Sequence, residues 1–349
     1  MCNAPASRRL TKPTHAYLES TWLERTVGFA AASVFTLTYV LAPAYLALTA
    51  GVLLSRCTHG TKALWLSPAL LSYAVPASLL PSLGTFVLQS WPFRQMCKYF
   101  AFESYLEIKD DQVAKLSAAG KRFILCFHPH GIFPFCACCA LTSALGAPDD
   151  AGALTDCAPD LDTIIRTWPT AVATVLLHMP ILKDVVGLFG VIGASAPVLN
   201  KWLRKKSCGL YVGGMLEMFH CSAKTEGVVL KSRKGFVKLA LRTGADLIPT
   251  FQFGNTEVLS AVTAGPLAWA SRKVGVSLTV FWGRWGLPLP RRKKMVYVRG
   301  FPLGLPHIPE PTDEDVDKWH AVYCDELKAL YDHYKQFNPD YAHKPLVLH

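Results

Sequence analysis

The chain opens with a polar stretch, passes through two long uncharged runs, and then settles into short apolar runs set among polar residues. From Val27 to Leu54 the sequence VGFAAASVFTLTYVLAPAYLALTAGVLL carries no charge for 28 residues, more than the roughly 20 that a helix needs to cross a hydrocarbon core. A second uncharged run, Ala63 to Phe93, follows a link containing Arg56 and Lys62. Pro68, Pro76 and Pro81 interrupt it, so it reads as a bent second span or a re-entrant leg. Arg8, Arg9, Lys12 and Arg25 precede the first run and Arg94 and Lys98 follow the second, which favours a hairpin with both ends cytosolic. The leader contains Glu19 and Glu24, and the apolar run exceeds a signal-peptide core, so the segment is expected to stay in the protein. The organisation expected is a cytosolic polar leader over 1–26, a transmembrane or re-entrant helical hairpin over 27–93, and a cytosol-facing domain over 94–349.

Past the hairpin the hydrophobic period alternates. Arg122 to Phe127, Cys208 to Gly213, Ala245 to Phe251 and Met295 to Arg299 read as buried strands. Asp110 to Ala119, Ile132 to Leu145, Phe236 to Thr243 and Thr312 to Phe337 read as helices. The last has Thr312 as cap, acidic residues in its first turn, and Val316, Trp319, Tyr323, Leu327, Leu330 and Tyr334 at helical spacing. Strands alternating with helices predict an α/β sheet covered by helices. The stretch Gly146 to Pro159, rich in Ala, Asp, Gly and Pro, reads as an exposed loop.

Composition agrees with a membrane protein: 51% of the 349 residues are apolar. The net charge of +11 implies an anionic partner. Its basic clusters, Lys201 to Lys206, Lys231 to Lys234 and Arg291 to Lys294, are separated by apolar stretches, and no basic arm of the nucleic-acid-binding kind is present. Membrane phospholipid and a phosphate-bearing small molecule are the expected anions, with nucleic acid excluded. The 11 cysteines are irregular and several lie in apolar runs, which speaks against a disulfide framework and for a reducing compartment. Cys136-Ala-Cys138-Cys139 has no second Cys/His pair at zinc-finger spacing, so no metal site is expected.

The chemistry concentrates at His128-Pro129-His130-Gly131, between a strand pattern and a helix pattern, where α/β folds commonly place reactive groups. A histidine there can act as general base for a hydroxyl attacking a carbonyl. Pro129 fixes the backbone between the imidazoles, and Gly131 permits a close approach. No Asp or Glu stands among the five residues after either His128 or His130, where Phe133 and Phe135 are reached, so a carboxylate to orient either ring has to come from farther along the chain. Glu217, in Val212-Gly213-Gly214-Met-Leu-Glu217, is the orienting candidate, with Gly213 and Gly214 allowing a tight turn. Arg233, Lys234 and Lys238, around the start of a helix, are candidates for phosphate binding.

These blocks, together with Ser232-Arg-Lys-Gly-Phe-Val-Lys-Leu-Ala-Leu241, Gly244-Ala-Asp-Leu-Ile-Pro249, Phe251-Gln-Phe-Gly254 and the tail helix with His320 and Tyr323, resemble the diacylglycerol acyltransferase type 2 family. That family includes monoacylglycerol acyltransferases and some wax synthases, and the resemblance runs from Trp91 to the C-terminus. It implies a glycerolipid-acyltransferase-like sheet, acyl transfer from acyl-CoA to diacylglycerol or a related lipid alcohol, no cofactor beyond the acyl-CoA substrate, and residence in the endoplasmic reticulum with access to lipid droplets. By the same resemblance His130 is favoured as the base and His128 as its helper. Two departures stand out. Asn255 occupies a position where the family commonly has Glu, leaving Glu257 to substitute from two positions away, and Tyr99-Phe100-Ala101 replaces Tyr-Phe-Pro. A competing reading is a catalytically silent membrane lipid-binding protein, and self-association is left open.

Overall fold

Strands of two to nine residues pair into the main sheet because each can satisfy its backbone only against a neighbour. The computed structural model describes residues 9–75, 79–144, 168–222, 224–263 and 280–349, with Gly265 and Trp269. In chain order the strands are β1 (His15–Ala16), β2 (Glu103–Leu106), β3 (Arg122–His128), β4 (Thr170–Val172), β5 (Val191–Gly193) and β6 (Cys208–Tyr211). They continue with β7 (Glu226–Val228), β8 (Ala245–Phe253), β9 (Ser260–Ala261), β10 (Phe281–Trp282), β11 (Val296–Arg299) and β12 (Leu346–Leu348). Eight of these form a mixed sheet in the order β1-β2-β11-β8-β3-β6-β4-β5. Around its centre β3 runs parallel to both β6 and β8, with Phe127 opposite Tyr211 and Thr250, while β11 is antiparallel to β8. All four expected strands are present, β8 extending to Phe253 and β6 ending at Tyr211.

The helices are α1 (Trp22–Leu54), α2 (His59–Ala74), α3 (Leu80–Leu88), α4 (Trp91–Tyr99), α5 (Asp110–Ala118), α6 (Phe135–Ala144), α7 (Leu182–Gly187), α8 (Ala196–Leu203), α9 (Gly235–Thr243) and α10 (Asp313–Tyr334). Helix α6 starts at Phe135 rather than at Ile132, and Leu145, like the expected loop Gly146 to Pro159, lies outside the described residues. Alternation along β3 sends Phe123, Leu125 and Phe127 to one core, shared with α1, α4 and α6, and Ile124 and Cys126 to the other, beneath α9 and α10.

At the N-terminal end the elements of the structure divide differently from the expected segments. A reciprocal Thr21/Glu24 capping box starts α1 at Trp22. The residues before it belong to the sheet domain: β1 pairs with β2, and Arg9 bridges Glu107 at 2.8 Å and Glu326 at 2.7 Å. The boundary at residue 93 falls within α4, which packs on α1; a Cβ at Gly28 would overlap the carbonyl of Gln95, so only glycine allows the helices this close. Phe35, 2% exposed, is enclosed by Phe93, Phe133 and Phe189, and burying such a side chain contributes about 1.5–3 kcal/mol.

The last third of α1, beyond Ala42, leaves the protein, exposing Leu48, Leu53 and Leu54. Its partner α2 returns antiparallel, held by the Tyr45–Trp65 stack and by Trp65 Nε1 donating to Thr49 Oγ1 at 2.9 Å. Tyr73 then donates to the His178 carbonyl at 2.8 Å, rejoining the domain. Among the described residues, α1 alone is long and apolar enough to cross a membrane. The second apolar run is divided into α2, of 16 residues, and α3, of 9. Pro68 is accommodated inside α2 and Pro81 in the first turn of α3; Pro76 lies outside the described residues.

Candidate active site

His128 ends β3, and the strand's alternation turns its ring toward α10, where it is fully buried. Its Nδ1 lies 3.0 Å from Glu217 Oε1 and its Nε2 3.0 Å from the Tyr323 hydroxyl. A carboxylate oxygen accepts, so Nδ1 carries the proton, and Nε2 is left to accept from Tyr323. Glu217, also fully buried, uses its second oxygen to accept the His130 backbone N–H at 2.8 Å. It therefore orients the His128 ring and the His130 backbone, and the expected direct contact with the His130 ring is not made. The 3-10 turn Gly214–Phe219 delivers it, with Gly214 at φ +59, and a Cβ on Gly213 would overlap the Glu217 carboxylate.

His130 has the opposite setting. It is half-buried, and its ring meets that of Tyr211 at 4.5 Å between centroids, with Tyr211 in turn on Phe127 at 5.0 Å. That is the sheet face covered by α1, α4 and α6. The His130 Nδ1 lies 2.8 Å from the Gly131 carbonyl, which only accepts, so the proton sits on Nδ1 and Nε2 keeps its lone pair. Burial pushes its pKa below the ordinary 6.5, opposed in part by the Gly131 carbonyl and the Glu217 charge. A neutral imidazole with an open Nε2 is a base ready at neutral pH.

Asn255 fixes the loop that carries this ring. Its Nδ2 donates to the His130 carbonyl at 2.7 Å, and its Oδ1 accepts from the Cys136 N–H, at the start of α6, at 3.1 Å. Gly131 sits against it at φ +65, where a Cβ would come within 2.6 Å of Asn255 Nδ2. Glu257, proposed from the sequence as a substitute, is instead held by Lys344 and by Lys293, the latter at 3.0 Å. The second departure also has a local reason: Ala101 adopts φ +44, which a proline ring cannot reach.

The structure thus brings together His128, Pro129, His130, Gly131, Gly213, Gly214 and Glu217. The candidate phosphate ligands lie elsewhere. Arg233, Lys234 and Lys238 are exposed at the start of α9 on the α10 side, with Lys234 2.5 Å from Asp317 and Lys238 3.5 Å from Asp313. Sequence reasoning did not assign Tyr323 to the site, nor Tyr211 and Gln252, whose side chains bond at 3.1 Å. Cys136, Cys138 and Cys139 are buried in α6 as packing residues.

The fold and the site together define a mixed α/β protein with paired histidines at the end of a central strand, on a sheet against which a helix long and apolar enough to cross a membrane is packed. The family model described as diacylglycerol acyltransferase matches residues 83–348, and the chain belongs to that family and is an O-acyltransferase. It is 30% identical over 260 residues to Diacylglycerol O-acyltransferase 2-like protein 6 of Homo sapiens, covering 67% of this chain and 72% of that one. It is 31% identical over 233 residues to Diacylglycerol O-acyltransferase 2 of Mus musculus, covering 62% and 57% respectively. With Acyl-CoA wax alcohol acyltransferase 1 of Homo sapiens it shares 32% over 259 residues, 69% of this chain and 75% of that one. Among solved structures, the 1-acyl-sn-glycerophosphate acyltransferase PlsC of Thermotoga maritima is 12% identical, covering 88% of this chain and 96% of that one at a TM-score of 0.38.

Proposed function

We propose that the protein transfers the acyl group of an acyl-CoA to the hydroxyl of diacylglycerol, forming triacylglycerol, with His130 as general base. The observation that carries this reading is the open Nε2 of a half-buried His130 on the α1 face, where a bilayer-dissolved acceptor arrives. Nε2 takes the hydroxyl proton as the oxygen attacks the thioester carbonyl; the carbon–sulfur bond then breaks, and the CoA thiolate leaves and recovers that proton from the imidazolium. A positioned base of this kind supplies roughly 10²–10⁴-fold. His128, enclosed by Glu217 and Tyr323, acts as a positioning residue. The domain works at the cytosolic face of the endoplasmic reticulum, with lipid droplets as a second location.

Membranes containing the protein are expected to convert labelled acyl-CoA and diacylglycerol to triacylglycerol, and His130→Ala to abolish this at unchanged protein level. Unchanged turnover in that variant overturns the base. A parallel acceptor panel of monoacylglycerol, diacylglycerol and long-chain alcohol tests the acceptor; the wax alcohol relative makes the alcohol the informative competitor, and faster turnover with it replaces diacylglycerol in this reading.

A further inference from the structure

Helix α3 is apolar on both of its sides. Leu80, Gly84 and Leu88 are buried against the domain, Leu80 on Gly187 and Gly84 so near the Leu188 carbonyl that a Cβ would overlap it. Leu79, Leu83 and Phe86 face the other way, and Phe86 is 73% exposed. A helix that is apolar all round belongs out of water on every side. The neighbouring part of α1 has the same character. Val34 and Leu41, 58% and 60% exposed, face outward from a stretch whose inner side, Ala31, Ala32 and Phe35, is core. Leu188 is followed by Phe189, whose ring meets Phe35 at 5.5 Å, so α3 lies beside this stretch of α1.

The length of the hairpin identifies what covers both surfaces. Beyond Ala42, the 12 residues from Pro43 to Leu54 extend about 18 Å, and the 16 residues of α2 extend about 24 Å. A hydrocarbon core is about 30 Å thick. The turn joining the two helices carries Arg56 and Lys62, the latter donating to the Leu53 carbonyl at 2.8 Å, and such charges are costly at mid-bilayer. For that turn to reach the far headgroups, about 12 Å more of α1, or about eight residues back from Ala42, must lie in hydrocarbon. Those residues reach back to Val34, which is the stretch with the outward apolar side and α3 next to it. Phe29 then stands about 8 Å further out, at the headgroup layer. There Arg284 lies over the Phe29 ring at 5.3 Å and over the Trp285 ring at 4.3 Å, and Trp285 is 69% exposed. A tryptophan beside a cation is what that layer favours.

We propose that the domain is sunk into the near leaflet of a phospholipid bilayer, with the outer side of α3 and Val34 and Leu41 of α1 among the acyl chains and Arg284 and Trp285 at the phosphates. This rests on α1 crossing the membrane, and it deepens the proposed reaction by setting the depth of the site. Phe133, three residues past His130, meets Phe35 at 5.1 Å and Tyr39 at 5.5 Å. The His130 loop therefore lies where the hydrocarbon begins, the level at which a glyceride in the bilayer holds its hydroxyl.

The test uses the full-length protein in phosphatidylcholine nanodiscs that contain a phosphatidylcholine with a diazirine midway along one acyl chain or, in a parallel preparation, on the headgroup. After illumination the labelled residues are mapped by mass spectrometry on the unsubstituted protein, so the readout does not depend on any variant folding. The mid-chain probe is expected to label Leu83 and Phe86 together with Leu48, and the headgroup probe to label Trp285. Val322, exposed on α10 across the sheet, should stay at the level of an unilluminated control with both probes. Label on Leu48 with none on Leu83 or Phe86 would keep α1 in the membrane and overturn the proposal, as a protein partner seated on α3 would also do. Loss of label from Leu48 as well would sink the membrane reading along with it. Labelling of Val322 equal to that of Phe86 would mean indiscriminate capture, and it too overturns the proposal.

Discussion

Exchanging Asn255 for Asp alters a single terminal group at a residue only 2% exposed. The acceptor toward the Cys136 N–H is kept, while the amide donor to the His130 carbonyl, at 2.7 Å, becomes an oxygen facing an oxygen. Loss of that bond with the carbonyl left buried costs about 1–3 kcal/mol, enough to lower the melting temperature by a few degrees. The larger effect is expected in catalysis, because the same bond sets the position of the His130 backbone, and a misplacement of about 1 Å costs roughly 100-fold. Steady-state turnover should therefore show kcat falling while KM for acyl-CoA stays near its original value. The new carboxylate beside the ring favours imidazolium, so the acid limb of the pH–rate profile should also move to higher pH. Asn255→Asp with unchanged kcat, melting temperature and acid limb would refute the reasoning.

Other perturbations follow from the same geometry. Gly131→Ala forces a Cβ within 2.6 Å of Asn255 Nδ2 at φ +65, adding about 1–3 kcal/mol of backbone strain; turnover should collapse, and a fully active variant contradicts the clamp. His130, depressed below 6.5, binds protons less readily folded than unfolded. Its contribution to stability is thus present above 6.5 and lost as pH falls through that value toward the depressed one, and the acid limb of kcat/KM should lie below 6.5. Glu226 runs the other way: burial raises it to about 7 from 4.5, against the bond from Thr256 and the charge of Lys344. The folded state keeps that proton longer, so the stability it supplies, at most about 3 kcal/mol, is lost as pH rises from 4.5 to about 7. Glu226→Gln should flatten the melting temperature over that interval, and an unchanged slope in thermal melts rules the carboxyl out.

What could be read from the sequence was whatever local pattern determines. Helix α10 announces itself because Thr312 and Asp315 cap each other's backbone and the apolar residues recur at helical spacing. The histidine motif is contiguous, so its place at the end of β3 follows from the apolar run before it. The partners were less legible because they come from distant positions: Glu217 lies 89 residues from His128 and Tyr323 lies 195 away. A tyrosine at a core-facing position of an amphipathic helix gives no local sign that its hydroxyl ends on a histidine. Asn255 was visible only as a departure from a family habit, and its double hydrogen bond depends on where two loops meet. Strand β1 is two residues long and carries no hydrophobic pattern at all. Within α1, Phe35 and Leu48 are alike as apolar residues; only the arrival of Phe93, Phe133 and Phe189 makes the first a core residue and leaves the second outside.

The union of β1 with β2, and of Arg9 with Glu107 and Glu326, has a bearing on how the molecule is assembled. The apolar helices interrupt a single folded body, whose flanking pieces before α1 and after α3 meet in one sheet. Trimming the first residues off would therefore open a sheet edge, and cutting those helices out would uncover Ala31, Ala32 and Phe35 contacts on which the interior depends. Arg9 lies 317 residues before Glu326, so during synthesis this bridge cannot form until α10 has been made. The sheet thus closes late, and α1 to α3 are made before the contacts that join the residues on either side of them.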